Sequence, residues 1–329
     1  MVTTVTSTIS QTGTPDYSTL QAWEDAAPAS LVASDQIWLG EIQEATDHFA
    51  GTTSNLLTVS GITASSTQYV ELTVKAGASF VDHSSPVLKY DESKGASIST
   101  QTSRCILAAS GYFRVSRIQF TNTSPSVSYL ILINGGDANR ITDCLLESKS
   151  VTPLGLYGGT VGTTLVTNVV GIMRSASQPY IVESNDNARK YLNCTFVVPS
   201  DVAVATNGVL TGPLATHNFV NCAILGCTNI VSDVTNATFT TCASTDASPP
   251  SGVTTTSFAQ AAFESSVTAS IDVRLTSDST LIDAGTDDGD APNDIFGTTR
   301  PSGSYDVGAF EFSAHPGEGG VYLLLMGVG

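Results

Sequence analysis

Carboxylates are the residues here whose type could do chemistry first, since two of them facing each other across a scissile bond hydrolyse a glycoside. The separation required is roughly 5 Å for a nucleophilic mechanism, or roughly 6.5–9.5 Å with an intervening water. The candidates in the middle of the chain are Asp137, Asp143, Glu147, Glu183, Asp186 and Asp201. A lyase would instead use a cation to neutralise a uronate and a base to take a proton, and Arg114, Arg140 and Lys190 fall in one register of the repeat described below. Asp283, Asp287, Asp288, Asp290 and Asp294 form the densest run of oxygen ligands. Their spacing departs from the alternating ligands of an EF-hand loop, so they are weak candidates for calcium and an acidic turn is the default. His48, His83, His217 and His315 stand in unrelated contexts. No nucleophile elbow, Cys–His signature, Walker A loop or dinucleotide fingerprint accompanies them. The reading expects no catalytic set, no resident metal and no cofactor.

Charge and composition narrow the partners. The 329 residues carry 13 Lys+Arg against 30 Asp+Glu, a net charge of −17. Phosphate neutralisation needs clustered cations, so nucleic acid is excluded as a partner, and an anionic membrane surface is disfavoured. Charged residues are 13% and apolar residues 41%, enough to fill a core, with Thr, Val and Ile pointing to strands. The start, MVTTVTSTIS, has no basic stretch followed by an apolar run, which predicts a protein made in a cytoplasm. Six cysteines without a CxxC motif are expected to be reduced and buried.

The elements that must position these groups come from a repeat. Six segments align: Val115–Phe120, Ile141–Leu146, Val166–Gly171, Tyr191–Phe196, Phe219–Ile224 and Phe239–Ser244. Their third residues, Arg117, Asp143, Asn168, Asn193, Asn221 and Thr241, are spaced 26, 25, 25, 28 and 20 apart. Such a period without helical patterning marks a β-solenoid. Positions one and four are both apolar, so the inward parity switches between them and the chain must bend at position three. Asn and Asp tolerate the left-handed conformation that such a bend needs. The reading is a right-handed parallel β-helix. Asp143, Asn168, Asn193 and Asn221 would form a side-chain ladder, and Cys144, Cys194, Cys222 and Cys242 would stack inward as small apolar groups. Rungs about 4.8 Å apart are too widely spaced for one zinc to collect several of these thiolates.

The remaining segments divide the chain. Residues 1–60 read as an N-terminal cap, with a capping box from Ser18 to Gln21 opening a short helix that Pro28 closes, followed by the strand Gln36–Gly40. Trp23 and Trp38 are expected in the core beside this cap, although a tryptophan can also stack on a sugar. Coils fill 61–245, with Tyr69–Val74 the clearest early strand. Residues 246–312 hold the last coils and a closing segment, and 313–329 are an apolar docking tail. In that tail Val321, Tyr322, Leu323, Leu324, Leu325 and Met326 are too few to span a bilayer, which predicts contact with another chain.

Leu281–Gly285, Asp294–Pro301 and Tyr305–Glu311 together resemble the closing signature of right-handed parallel β-helix proteins, a pattern of the form AIDAG, DxxGxxRP and DxGAxE. It occurs in bacterial surface proteins and in phage proteins. The stretch Tyr17–Glu24 followed by Ile37–Leu39 is similar to β-helix proteins encoded among phage structural genes. The resemblance implies a structural role for the segment, in which Arg300 pairs with Asp283, Asp306 or Glu311 to clip the last coil. It also implies a non-enzymatic virion component, most specifically a capsid decoration protein bound to the major capsid protein as a homo-oligomer, a trimer by analogy with phage spikes and decoration proteins. The alternatives are a tail-spike type protein that binds or cleaves a host-surface glycan, and a bacterial surface adhesin.

Overall fold

The computed structural model describes residues 1–312 apart from 53–54, 102–103, 123–128, 136–137, 150–151, 158–162, 175–180, 185–187, 203–204 and 212–215. The docking tail, Asp137, Asp186 and His315 therefore lie outside the described residues.

Three parallel sheets wind around one lumen. Among the described residues, sheet A has nine strands, from β1 (Thr3–Ile9) to Ala237–Thr240; sheet B has nine, from His48–Gly51 to Val253–Thr255; sheet C has seven, from Leu57–Val59 to Cys227–Val231. A coil runs from sheet A through a sharp corner to sheet B, then to sheet C and back, as in Phe113–Ser116, Gln119–Asn122, Tyr129–Asn134 and Arg140–Thr142. This is a parallel β-helix, and parallel crossovers of this kind are right-handed. Successive coils pair residue for residue, Arg114 with Arg140 and Phe120 with Leu146.

The corner explains the repeat. Arg117, Asp143, Asn168, Asn193, Asn221 and Thr241 all have φ between 50° and 64°. The lumen is filled by Val115, Ile141, Val166, Tyr191 and Phe219 from sheet A, Phe120, Leu146, Phe196 and Ile224 from sheet B, and Ile131, Leu154, Val182 and Val209 from sheet C, none more than 1% exposed. Tyr191 and Phe219 stack at 4.5 Å with an interplanar angle of 3°, and Phe219 stacks on Phe239 at 5.1 Å. All six cysteines are buried and unbridged. Burial pushes the Cys144 thiol up to about 12, and Cys222 and Cys242 also rise, so these are inert packing groups.

The N-terminal cap differs in detail from its sequence reading. Helix α1 (Leu20–Asp25) is capped by Thr19, whose side chain accepts from the Ala22 amide, rather than by a box beginning at Ser18. Gln21 is drawn elsewhere. Its side chain accepts from Thr58 N at 2.8 Å and donates to Thr58 O, while Glu24 accepts from Ser60 N at 3.0 Å. The helix thus pairs the first edge of sheet C with side chains, where an open solenoid would leave unpaired amides. Trp23 is fully buried over Gly40, where a Cβ would fall 2.4 Å from its ring, and Trp38 Nε1 donates to Trp23 O. Sheet A also begins one strand earlier than the sequence suggests, with β1 pairing along Gln36–Ile42.

The C-terminal section departs most. Among the described residues, only Val253–Thr255 joins the coils after residue 246. Residues 258–312 add a four-residue helix, Phe258–Ala261, and an antiparallel pair, Phe263–Ser265 with Asp272–Leu275, and then lie along the outside of sheet B. The reason is in sheet B itself. Its outward residues Leu145, Val170, Ile172, Val197, Ala223, Leu225 and Ala243 are apolar, and they pack against Ile271, Val273, Leu275, Leu281, Ile295, Val307 and Ala309. Full burial of each large aliphatic side chain contributes about 1.5–3 kcal/mol.

Candidate functional site

The closing segment docks on the corner ladder. Asn168 Nδ2 donates to Asp143 Oδ1 at 2.9 Å and to Asn293 O at 2.9 Å. Asn221 Nδ2 donates to Asn193 Oδ1 at 2.9 Å and to Thr286 O at 2.7 Å, while its Oδ1 accepts from Thr286 N and from Thr241 Oγ1. The ladder is therefore two pieces, interrupted between Asn168 and Asn193, where Arg300 Nη2 reaches Asn168 Oδ1 at 3.4 Å. The close approach depends on small residues. A Cβ at Gly308 (φ 117°) would fall 2.6 Å from Thr195 Oγ1, and one at Gly285 would fall 2.7 Å from Tyr305 O. Ala309 N donates to Thr195 Oγ1 at 3.0 Å.

Arg300 pairs with Glu311 at 2.7 Å, both side chains almost fully buried, and donates further to Asp306 O and Gly308 O. Glu311 also accepts from Asp306 N, while Asp306 accepts from Asp283 N and Phe312 N. The expected clip on the last coil is thus in a different place. Arg300 locks the segment to itself and to the Asn168 rung, on the flank of sheet B rather than at its end, because that flank is the apolar surface needing cover.

The other acids have comparable duties. Glu147, 3% exposed, pairs with Arg174 Nε at 2.7 Å and accepts from Tyr90 N at 2.8 Å. Asp201 accepts from Thr268 N and Thr268 Oγ1 at 2.6 and 2.7 Å. Asp272 pairs with Arg274 and accepts from Leu88 N. Burial pushes the Asp143 carboxyl up to about 7, against the opposing hydrogen bond from Asn168. In the acidic run, Asp287 accepts from Gly289 N and Tyr305 Oη, Asp288 from Asp290 N and Ala291 N, and Asp294 from Phe296 N, Thr298 N and Glu311 N. Asp290 pairs with Lys190, and Asp283 accepts from Ser304 Oγ. Each acid thus ties a separate turn, and among the described residues no three metal-ligating side chains converge.

Glu183, one of the six acids named from the sequence, belongs to a cluster whose two tyrosines sequence reasoning missed. On the outer face of sheet C the Tyr129 hydroxyl donates to the Glu183 carboxylate and bonds the Tyr157 hydroxyl, with the two rings edge to face at 5.6 Å. Glu183 is 8% exposed and sits in register with Gly155, where a Cβ would strike the Tyr129 ring. The bare glycine makes room for the aromatic. Tyr129 pairs with Thr152 and Tyr157 with Asn134, so the tyrosines share no column and no spacing in the sequence betrays them. Among the histidines, His217 is buried in the lumen, and that burial, with the nearby charge of Arg189 adding to it, lowers it to about 4.

The cationic register is present on sheet A. Arg114 pairs with Arg140, Arg140 with Leu165 and Leu165 with Lys190.

No family model matches the chain, and no curated protein matches it. Among solved structures, the pectin methylesterase of Aspergillus niger in deglycosylated form is 15% identical, with a TM-score of 0.46 over 85% of this chain and 91% of that one. Its penultimately deglycosylated form gives 15% identity and a TM-score of 0.42. A pectate lyase gives 12% and 0.30, over 89% of this chain and 90% of that one. The likeness is one of fold.

Proposed function

We propose that this chain is a non-enzymatic structural protein, a rigid β-helix displayed on the surface of a phage particle, with residues 313–329 docking it to another virion protein, the major capsid protein or a second copy of itself. The observation that carries the non-enzymatic reading is the engagement of the acids. Asp143, Glu147 and Asp201, the described candidates for a hydrolytic pair apart from Glu183, each hold a ladder or a covering segment in place. The virion setting rests on the resemblance of the closing segment. Purified particles of the phage encoding the chain provide the test. Quantified against the shell protein by mass spectrometry, a copy number comparable to the shell lattice is expected, and absence from particles overturns the proposal.

A second reading, a tail-spike type protein that binds or cleaves a glycan, is favoured by the Tyr129–Tyr157–Glu183 cluster, where a buried acid accepts from one phenol that a second phenol bonds in turn on an outer sheet face. Release of reducing ends from a polysaccharide panel, lost in Glu183→Gln, would favour it over the first.

A further inference from the structure

Arg114 and Arg140 present a pair of like charges that the fold does not require. They are direct register partners on the outer face of sheet A, and like charges in that relation destabilise a sheet. The chain holds only 13 cations, and elsewhere five of the described ones (Arg117, Arg174, Lys190, Arg274 and Arg300) are tied to carboxylates. Here the guanidinium of Arg114 turns onto the Tyr69 ring, 3.3 Å from its centroid, and donates to Ser66 O. Glu71, half-buried, is its register partner on the other side and attracts both Arg114 and Arg140 through space without pairing closely with either, so it offsets their charge only in part. Arg140 is exposed, with no hydrogen bond or ion-pair partner among the described residues. Two positions along the strands, on the same face, lie Thr73, Ser116 and Thr142, all half-buried, and Thr73 and Ser116 are hydrogen-bonded at 2.8 Å.

We propose that Arg114 and Arg140 bind the carboxylate of an acidic sugar, with Thr73, Ser116 and Thr142 forming a hydroxyl shelf beside it for the sugar's own hydroxyls. Guanidinium groups meet carboxylates in a planar, two-point geometry, and Arg140 has its donors directed to solvent. The net charge of −17 selects among ligands. A polyanion would be repelled by the whole molecule, whereas an otherwise neutral oligosaccharide carrying one uronic or sialic acid meets two local cations and one partly buried acid, Glu71. The inference stands apart from the particle reading, since the site lies on this chain whatever carries it.

Isothermal titration with a glucuronate-terminated trisaccharide and with sialyllactose tests it, using the methyl ester of each as the neutral probe. Binding of at least one acid is expected, weakened at least tenfold by esterification and at least tenfold by Arg140→Gln. Arg140→Lys should fall between, because it keeps charge and loses the two-point geometry. Lys190→Gln, four residues before Cys194 but already paired with Asp290, should stay within twofold. Thermal melting of each variant verifies folding, and Arg140 is exposed enough that a melt unchanged from the parent is expected. Absence of binding by either acid, equal binding of the ester, or indifference to Arg140→Gln overturns the proposal. Inorganic sulfate competing as tightly as the sugars would also overturn it, reducing the site to one for bare anions.

Discussion

Sheets A and B are built from the same coils, yet their outer faces follow opposite rules. Sheet A alternates: inward Val115, Ile141, Val166 and Tyr191, outward Arg114, Arg140, Ser116 and Thr142. Sheet B is apolar on both sides over its later coils, with Leu146 and Phe196 inside and Leu145, Val170, Ile172 and Val197 outside. The first face meets water; the second needs a cover, and the segment from 258 to 312 supplies it. The contrast accounts for where the charged groups went. Carboxylates gather under and around the cover, where Glu147, Asp294, Asp306 and Glu311 each accept backbone amides, while on the face of sheet A Arg114 and Arg140 share the through-space attraction of a single acid, Glu71.

The largest effect should come from the lock on the cover. Arg300→Met leaves Glu311 buried without its cation, and breaking a buried pair from one side costs about 3–5 kcal/mol. Urea denaturation should show that loss. The outer faces then separate cleanly. Ile172→Ala on sheet B, fully buried beneath the cover, is expected to cost about 2–4 kcal/mol. Arg140→Ala on sheet A should stay within about 0.5 kcal/mol. Equal losses at the two positions would break the comparison.

The ladder comes next. Asn221→Ala removes bonds to Asn193 and Thr286 and puts a residue with less tolerance at φ 52°. About 2–3 kcal/mol is expected, from lost hydrogen bonds and backbone strain, and the same denaturation series measures it.

The last effect shows only as the pH rises. The Asp143 carboxyl is raised from 3.8 to about 7 by burial, with Arg117 and Arg300 opposing and Asp294 reinforcing the shift. The folded state therefore holds this proton more tightly than the unfolded chain does. Its contribution to stability is full below about pH 4 and declines as pH rises to about 7. Asp143→Asn removes that decline, so the variant should match the parent near pH 3.5 and exceed it at pH 8. A parent that gains on the variant with rising pH would contradict the sign.

The fold was legible because the corner residues carry it. Asn168, Asn193 and Asn221 at third positions between two apolar ones require a bend, and a bend repeated every 25–28 residues requires a coil. The cover was harder to read. The runs Cys144–Leu146, Val169–Gly171 and Cys222–Leu225 are continuously apolar, the pattern of strands buried on both faces, but the repeat aligns their inward positions and hides the outward ones. Arg300 was visible as a clip with Asp283, Asp306 or Glu311 as its partner, whereas the choice of Glu311 and the clip's location were not, since nothing local tells a segment whether it closes an end or a flank. The Tyr129–Glu183 contact depends on a ring leaning across Gly155 from a neighbouring column, which no spacing encodes.

Hydrogen exchange read by mass spectrometry on the parent and Arg300→Met tests the division between cover and coils most directly. The account predicts faster exchange in residues 283–312, with the outer-facing strands of sheet B following, while sheet A strands such as Arg189–Leu192 keep their protection. Uniform acceleration across all three sheets, or an unchanged closing segment, would contradict it.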